Sequence, residues 1–303
     1  MELRQLRHFQ EIVRCSSFGQ AADKLNITQP ALSKSIRNLE QSLGCQLLER
    51  HPTGVTPTEY GLVFLDYAAL VISELERAVE ELNALGGKGR GVVRVGAGST
   101  MMRYLLPQAV RRFMDQAEGT SVNFRQGLKD DLLGALRRGE IDIMVGSTNP
   151  EALPEDMRHE LILQDQIVIV ADARHPLAQR KQLSLSDLAQ QSWVLPEASE
   201  PEGERLNRSL RREGLDSPRI AVRTGSSVFM AALLKDSQYL SYLPAALIAL
   251  DPDYAHLVPL DLATPVWTPV MVGVTYRRRG VMLAPVRRFI NRLKDVAGEV
   301  PAG

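Results

Sequence analysis

Residues 16 to 44 constrain this chain more than any other stretch, because two helix starts and one helix stop fall within it. Ser17 and Gln20 stand at capping-box spacing, so a short helix can begin at Ser17 and carry Phe18, Ala21, Ala22 and Leu25 on one face. Asn26 breaks it. Thr28 is a fresh N-cap, and Pro30 falls in the first turn of the next helix, where its missing N–H costs nothing. That second helix lines Ala31, Leu32, Ile36, Leu39 and Leu43 along an inward stripe and stops at Gly44, a residue suited to a left-handed C-cap. Gln29, Ser33, Lys34, Arg37 and Asn38 are left outside, with no acidic residue between Asp23 and Glu40. Such a face approaches phosphates without repulsion, and its Gln, Ser and Lys side chains can reach base edges in a major groove. This is the layout of a helix-turn-helix, although a plain helical hairpin with a solvated face shares the pattern up to this point.

The next residues favour the first reading. Leu47-Leu48-Glu49-Arg50 alternates like a short strand, His51-Pro52-Thr53-Gly54 reads as a turn, and Val55-Thr56-Pro57 returns, so a two-stranded wing follows the second helix. Residues 1 to 61 thereby resemble the N-terminal winged helix-turn-helix of LysR-type transcriptional regulators. The resemblance rests on Leu3, Leu6, Phe9 and Val13, on Ser17-Phe18 with Ala21-Ala22 and Leu25, and on Thr28-Gln29-Pro30-Ala31-Leu32-Ser33. It continues through Ile36, Leu39, Glu40, Leu43-Gly44, Leu47, Arg50, Thr58 and Gly61. It implies base and groove contacts for Gln29, Pro30, Ser33 and Lys34, and backbone contacts for Thr28, Arg37 and Arg50. Two departures bear on what is read. Lys34 stands where the family often has Arg, and a point charge cannot make the two-pronged contact to guanine as rigidly. Thr53 stands where the wing usually has Arg, which shifts weight onto Arg50 and His51.

Lysine plus arginine equals aspartate plus glutamate at 36 each over 303 residues, so any affinity for nucleic acid must come from a local patch. Over residues 1 to 61, Arg4, Arg7, Arg14, Lys24, Lys34, Arg37 and Arg50 face Glu2, Glu11, Asp23, Glu40, Glu49 and Glu59. A single head with so narrow an excess is expected to bind weakly, and a dimer to be needed. An apolar content of 44% suffices for two or three proper cores. No basic-then-apolar leader and no run of about 18 apolar residues occur, so a soluble, cytoplasmic protein is expected, nucleoid-associated and without a membrane role. Cys15 and Cys45 lack a second Cys or His at metal spacing and read as buried and inert, redox sensing being the alternative.

From Thr58 to Leu85 the sequence predicts one long helix. Leu65, Ala68, Ile72, Leu75, Val79 and Leu82 recur at alternating steps of three and four, a coiled-coil seam that predicts pairing of two copies. Two heads so joined would read an interrupted palindrome. The expected division is a DNA-binding domain over 1–58, a linker and dimerisation helix over 59–88, and a regulatory domain over 92–303. Gly86-Gly87-Lys88-Gly89-Arg90-Gly91 reads as a hinge.

Beyond it, strands alternate with helices, the pattern of parallel sheets with crossover helices. Strands are expected at Val92–Gly96, Ser121–Gln126, Ile141–Gly146, Gln166–Ala171, Ser192–Leu195, Ile220–Thr224, Tyr239–Leu243 and Pro269–Arg277. Helices are expected at 101–116, 128–138, 203–213, 227–236 and 285–296. The family resemblance continues more loosely, through Ile141-Asp142 and His175-Pro176-Leu177. It implies an α/β regulatory domain similar to periplasmic binding proteins, with lobe I over 92–164 and 266–303, lobe II over 165–265, and an effector between them. Ligands of open parallel sheets sit outside the carboxyl ends of strands. The expected effector contacts are therefore Ser99, Thr100, Gly127, Ser147, Thr148, the run from Pro196 to Ser199, Thr224 and Ser226. Ser99-Thr100 and Ser226-Ser227 precede expected helices, which favours an anion such as a small carboxylate or sugar acid.

Gly96-Ala97-Gly98 lacks the third glycine of a dinucleotide loop, and no hydrolase elbow, metalloprotease helix or paired-cysteine site occurs. Arg277-Arg278-Arg279 reads as a solvated turn, and Trp193 and Trp267 as core. No cofactor, no metal and no enzymatic activity are expected. The resemblance implies double-stranded promoter DNA, a small-molecule effector, RNA polymerase and a homodimer or homotetramer as partners. The competing readings are a cytoplasmic small-molecule-binding module without a DNA role, and an enzyme using the cleft.

Overall fold

Residues 1–86, 91–117, 119–148, 152–196 and 201–300 are described by a computed structural model. The expected hinge residues 87–90 and the expected cleft residues 197–199 lie outside the described residues.

The chain divides into two compact units. The first comprises Met1–Arg94 with Gly119–Ser121 and Asp130–Asp142. In it α1 (Leu3–Cys15) starts at a reciprocal cap, the Glu2 N–H donating to Gln5 Oε1 at 2.7 Å, and buries Leu6, Phe9 and Ile12. α2 (Phe18–Lys24) is capped by Ser17, whose Oγ accepts from the Gln20 N–H at 3.4 Å. α3 (Gln29–Leu43) is capped by Thr28 Oγ1, which accepts from the Ala31 N–H at 3.4 Å, and it ends at Gly44 with φ +71. Its inward residues Leu32, Ile36 and Leu39 are at most 2% exposed, and each contributes roughly 1.5–3 kcal/mol of burial.

β1 (Leu48–His51) and β2 (Gly54–Pro57) form the antiparallel wing. Glu40 of α3 secures its base, Oε1 accepting from the Leu47 N–H at 2.8 Å and the Leu48 N–H at 3.2 Å. α4 (Glu59–Leu85) starts at Thr58, whose Oγ1 accepts from the Gly61 N–H at 3.0 Å.

α4 corrects the expected seam. Ala68 and Ile72, 1% and 8% exposed, complete the core of the head, and Leu65 packs against it half-buried, so these three face their own domain. The exposed apolar stripe runs instead through Tyr60, Val63, Tyr67, Val71, Leu75 and Leu82, with Val79 also exposed beside it. At 100° per residue those six positions fall on one side of the helix. A third face of α4 is polar and engaged within the unit. Ser73 Oγ donates to the Gly139 carbonyl at 2.7 Å, Arg77 pairs with Asp142, and Glu80 receives Arg94 Nη2 at 2.6 and 2.8 Å.

After α4 the order is β3 (Gly91–Ala97), α5 (Leu105–Met114), β4 (Thr120–Gln126), α6 (Lys129–Arg137), β5 (Ile143–Ser147) and β6 (Met157–Asp165). Then come β7 (Ile167–Asp172), α7 (Leu185–Ala189), β8 (Ser192–Leu195), α8 (Pro201–Arg212), β9 (Arg219–Arg223) and α9 (Ser227–Leu234). β10 (Tyr239–Pro244), α10 (Ala245–Leu250), β11 (Leu257–Pro259), β12 (Val270–Arg277) and α11 (Ala284–Ala297) complete it. One sheet has the order β4-β3-β5-β12-β6 and the other β11-β7-β10-β8-β9.

The sheets are mixed, not all parallel as the alternation suggested. β3 and β5 run parallel, as do β8 and β10, whereas β12 is antiparallel to β5 and β6, and β7 to β10 and β11. β6, β11, α7 and α10 are additional to the expected elements. Trp193 and Trp267, 1% and 8% exposed, sit in the core of the second sheet's lobe. Cys15 and Cys45 are half-buried and free, not fully buried as expected, and the Cys15 thiol donates to Glu11 Oε1 at 3.2 Å. Among the described residues no helix is long and apolar enough to cross a membrane.

Candidate nucleic-acid interface and ligand cleft

In the head, α3 turns its apolar side inward and leaves Gln29, Pro30, Lys34 and Arg37 exposed, with Ser33 half-buried between them. Arg50, His51 and Thr53 are exposed on the wing, and Thr28 is exposed at the cap. The Arg50 guanidinium carbon lies over the Phe18 ring, 4.0 Å from the centroid, and Nη2 reaches Ser33 Oγ at 3.5 Å. His51 Nε2 stands 3.0 Å from Thr56 Oγ1 across the hairpin and 3.6 Å from Glu49.

The near-zero charge balance of the head conceals a segregation of charge. Glu11 is taken by Arg14 at 2.7 Å and Lys24 at 3.7 Å, and the hydrogen bond from Arg14 holds its carboxyl below the usual range. Glu2 is taken by Arg4, and Glu40 by the base of the wing. Lys34 and Arg37 have no acidic partner among the described residues, so the recognition side stays basic. Behind α3, His8 Nδ1 and Ser35 Oγ lie 2.8 Å apart, and burial, assisted by Arg4, depresses the imidazole pKa.

In the second unit, which comprises Val95–Glu118, Val122–Lys129 and Ile143–Gly303, the expected effector residues sit at the ends of strands in both sheets. Thr148 follows β5, is 3% exposed, and has a buried hydroxyl with no hydrogen-bond partner among the described residues. Its N–H donates to the Met271 carbonyl at 3.2 Å. Ser147 is exposed, and the Gly127 N–H donates to the Ala97 carbonyl at 3.3 Å. Ser226 caps α9, its Oγ accepting from the Phe229 N–H at 3.2 Å, and Thr224 Oγ1 accepts from the Ser226 N–H at 3.1 Å. Pro196 ends the described part of the loop after β8.

Ser99 and Thr100 depart from expectation. The expected helix at 101 begins only at Leu105, and 99–104 is a turn closed by the Arg103 N–H donating to the Thr100 carbonyl at 3.0 Å. These two hydroxyls therefore do not cap α5, and the anion argument from a helix terminus applies to Ser226 alone.

The same turn supplies residues that the sequence reading missed. Arg103 reaches the turn after α10, Nε donating to Asp251 Oδ2 and Nη2 to Asp253 Oδ2, each at 2.5 Å. Its guanidinium carbon lies 5.6 Å from the ring centroid of Tyr254, whose hydroxyl donates to the Ser227 carbonyl at 2.7 Å at the start of α9. One chain of contacts thus links the Thr100 turn to the Ser226 cap. Beside it the Tyr104 hydroxyl donates to Asp165 Oδ2 at 3.2 Å, while Asp165 Oδ1 accepts from Gln166 and Ala246 N–H groups at 2.8 and 3.2 Å. Burial raises the pKa of both Asp165 and Tyr104. Only contacts about 150 residues apart in sequence create this bracket, and no local signal announces it. An open groove lined by Phe113, Gln116, Arg288, Asn291, Arg292 and Asp295 lies elsewhere, and none of the expected effector residues lines it.

Residues 3–62 match the family described as "Bacterial regulatory helix-turn-helix protein, lysR family", and residues 86–298 match the "LysR substrate binding domain". The chain is 28% identical over 300 residues to the HTH-type transcriptional regulator PcaQ of Agrobacterium fabrum, covering 99% of this chain and 96% of that protein. It is 30% identical over 263 residues to the uncharacterized HTH-type transcriptional regulator YdcI of Escherichia coli, covering 86% and 85%. Among solved structures, full-length CbnR complexed with its target DNA superposes with a TM-score of 0.68 at 23% identity, covering 98% of this chain and 100% of that one.

Proposed function

This chain belongs to the LysR family of DNA-binding transcriptional regulators, and we propose that it works as a paired head on promoter DNA, set by a small anionic effector held between the lobes of its regulatory domain. The observation that carries the DNA contact is the charge segregation of the head. Glu11, Glu2 and Glu40 are engaged by Arg14, Lys24, Arg4 and the wing base, leaving Gln29, Pro30, Ser33, Lys34 and Arg37 to enter a major groove. Thr28, Arg50, His51 and Thr53 flank that helix and meet the phosphates.

Pairing is assigned to the exposed stripe of α4, Tyr60, Val63, Tyr67, Val71, Leu75 and Leu82. Leu75, Val79 and Leu82 of the original seam remain in or beside it. Two such dimers would make the tetramer, and RNA polymerase is the partner through which promoter binding is felt. The protein acts in the cytoplasm beside the nucleoid.

The effector is assigned to Ser99, Thr100, Gly127, Ser147, Thr148, Pro196, Thr224 and Ser226. The Thr148 hydroxyl, unpartnered among the described residues, is the strongest support, because a buried polar atom without a partner is stabilised by a ligand that supplies one. A small carboxylate or sugar acid fits hydroxyls and a helix N-terminus. Such a ligand acts by binding one arrangement of the lobes better than the other.

The test is a mobility shift on the DNA flanking the protein's own gene, with the parent and Lys34→Ala. Loss of the specific complex with retention of weak, sequence-independent binding is expected. Equal affinity of the two proteins for that fragment and for random duplex would refute the assignment. A thermal-shift screen of small carboxylates and sugar acids, repeated with Thr148→Val, tests the cleft.

A further inference from the structure

We infer that Phe18 is a positioning residue for DNA binding: its ring is the platform that holds the Arg50 guanidinium in place for a phosphate. The inference rests on the reading of the head as a DNA-binding module and adds to it a residue that touches no DNA.

The guanidinium carbon of Arg50 lies 4.0 Å from the centroid of the Phe18 ring. That is within the range in which a cation is attracted to the face of an aromatic ring. Phe18 is 5% exposed and Arg50 is exposed, so the guanidinium sits against the rim of the core while its side chain stays open to solvent. Nη2 meets Ser33 Oγ at 3.5 Å, which places the wing arginine beside the first turns of α3.

The wing that carries Arg50 is itself anchored to the turn before Phe18. The Val55 N–H donates to the Ser16 carbonyl at 2.9 Å. Gly54 has φ +143, and a Cβ there would lie 2.8 Å from the same carbonyl oxygen. Backbone and side chain therefore fix Arg50 from two directions. An arginine held in one rotamer forfeits little conformational freedom when it meets a phosphate, and its planar fork presents two parallel donors. A surface arginine without a platform must be ordered by the DNA itself.

The experiment uses the full-length protein and a random-sequence duplex, titrated by fluorescence anisotropy over a salt series at low ionic strength. The proteins are the parent, Phe18→Leu, Phe18→Tyr, Arg50→Ala, Arg50→Lys and the double variant Phe18→Leu/Arg50→Ala. Arg50→Ala is expected to weaken binding to any duplex and to reduce the slope of log affinity against log salt by about 0.9. Phe18→Leu is expected to weaken binding by about threefold, the order of one cation–π contact. Phe18→Tyr keeps an aromatic face and should bind like the parent. The double variant should bind no more weakly than Arg50→Ala alone, because Phe18 acts only through Arg50. Circular dichroism and thermal melting establish that each variant is folded.

Phe18→Leu costing as much in the Arg50→Ala background as in the parent would overturn the inference while leaving the DNA-binding reading intact, since the residue would then act through the core. Arg50→Lys, on an exposed wing position, keeps the charge and cannot stack as a plane. If it binds as tightly as the parent, the platform has no role. An Arg50→Ala protein indistinguishable from the parent in affinity and salt slope would overturn the contact assigned to Arg50, and the inference with it.

Discussion

Replacing Arg77 tests whether α4 is locked to the turn before β5. The Arg77 side chain is 7% exposed and that of Asp142 1%, and the two form an ion pair. Arg77 Nη1 also reaches Glu74 Oε1 at 3.0 Å, and Asp142 Oδ2 accepts from the Arg94 N–H at 2.7 Å. Arg77→Met removes one partner and leaves a buried carboxylate facing an apolar chain, a loss of about 3–5 kcal/mol. Asp142→Asn is milder, because the amide oxygen still accepts from Arg94 and the arginine keeps Glu74; about 1–3 kcal/mol is expected. In the double variant no uncompensated charge remains, so its loss should fall well short of the sum, by roughly 2 kcal/mol of coupling. Urea unfolding at one fixed protein concentration measures all three. Strictly additive losses, or an Arg77→Met protein within about 1 kcal/mol of the parent, would show that the pair does not hold the helix.

Gly61→Ala should disable the head, because a Cβ would lie 2.0 Å from the Leu47 carbonyl oxygen and 3.1 Å from the Pro57 Cβ. Backbone must move to admit it, so a loss of more than about 2 kcal/mol and of all duplex binding is expected, checked by melting and anisotropy. Stability should also fall on mild acidification. His8, His159 and His175 all have pKa values lowered chiefly by burial, so the unfolded chain takes up protons first as pH drops through about 6.5, and stability is lost from there down to the folded pKa values. Urea midpoints from pH 7.5 to 5.5 should decline, and less steeply in His175→Asn, whose amide can still accept from the Leu177 N–H. Tyr67→Asp, in the middle of the exposed stripe of α4, should yield monomers in sedimentation at concentrations where the parent is dimeric, with the head still folded.

Local chemistry made the head legible. Ser17, Thr28 and Gly44 mark the helix ends by side-chain or backbone capability, and each does so in the structure. The α4 seam is only partly legible, because a three-four spacing records that a stripe is buried and not what buries it. Ala68 and Ile72 meet their own domain, and the outward stripe is displaced by a fraction of a turn. β6 escaped notice because Met157–Asp165 alternates poorly, with Arg158, Leu161 and Gln164 all exposed. Mixed sheet direction is decided by where β12 returns, more than one hundred residues after β5. The Arg103 bracket is equally remote from its partners, so only the folded chain brings Arg103, Asp251 and Asp253 together.

The last of the boundaries between the two compact units falls at the peptide bond from Asp142 to Ile143, at the head of β5. Asp142, just before that strand, is paired with an arginine of α4, and immediately past its other end lies the Thr148 hydroxyl, solitary among the described residues. Five residues of extended chain measure about 17 Å and scarcely stretch. Clamped between β3 and β12, the strand cannot slip its register without breaking a ladder on each side.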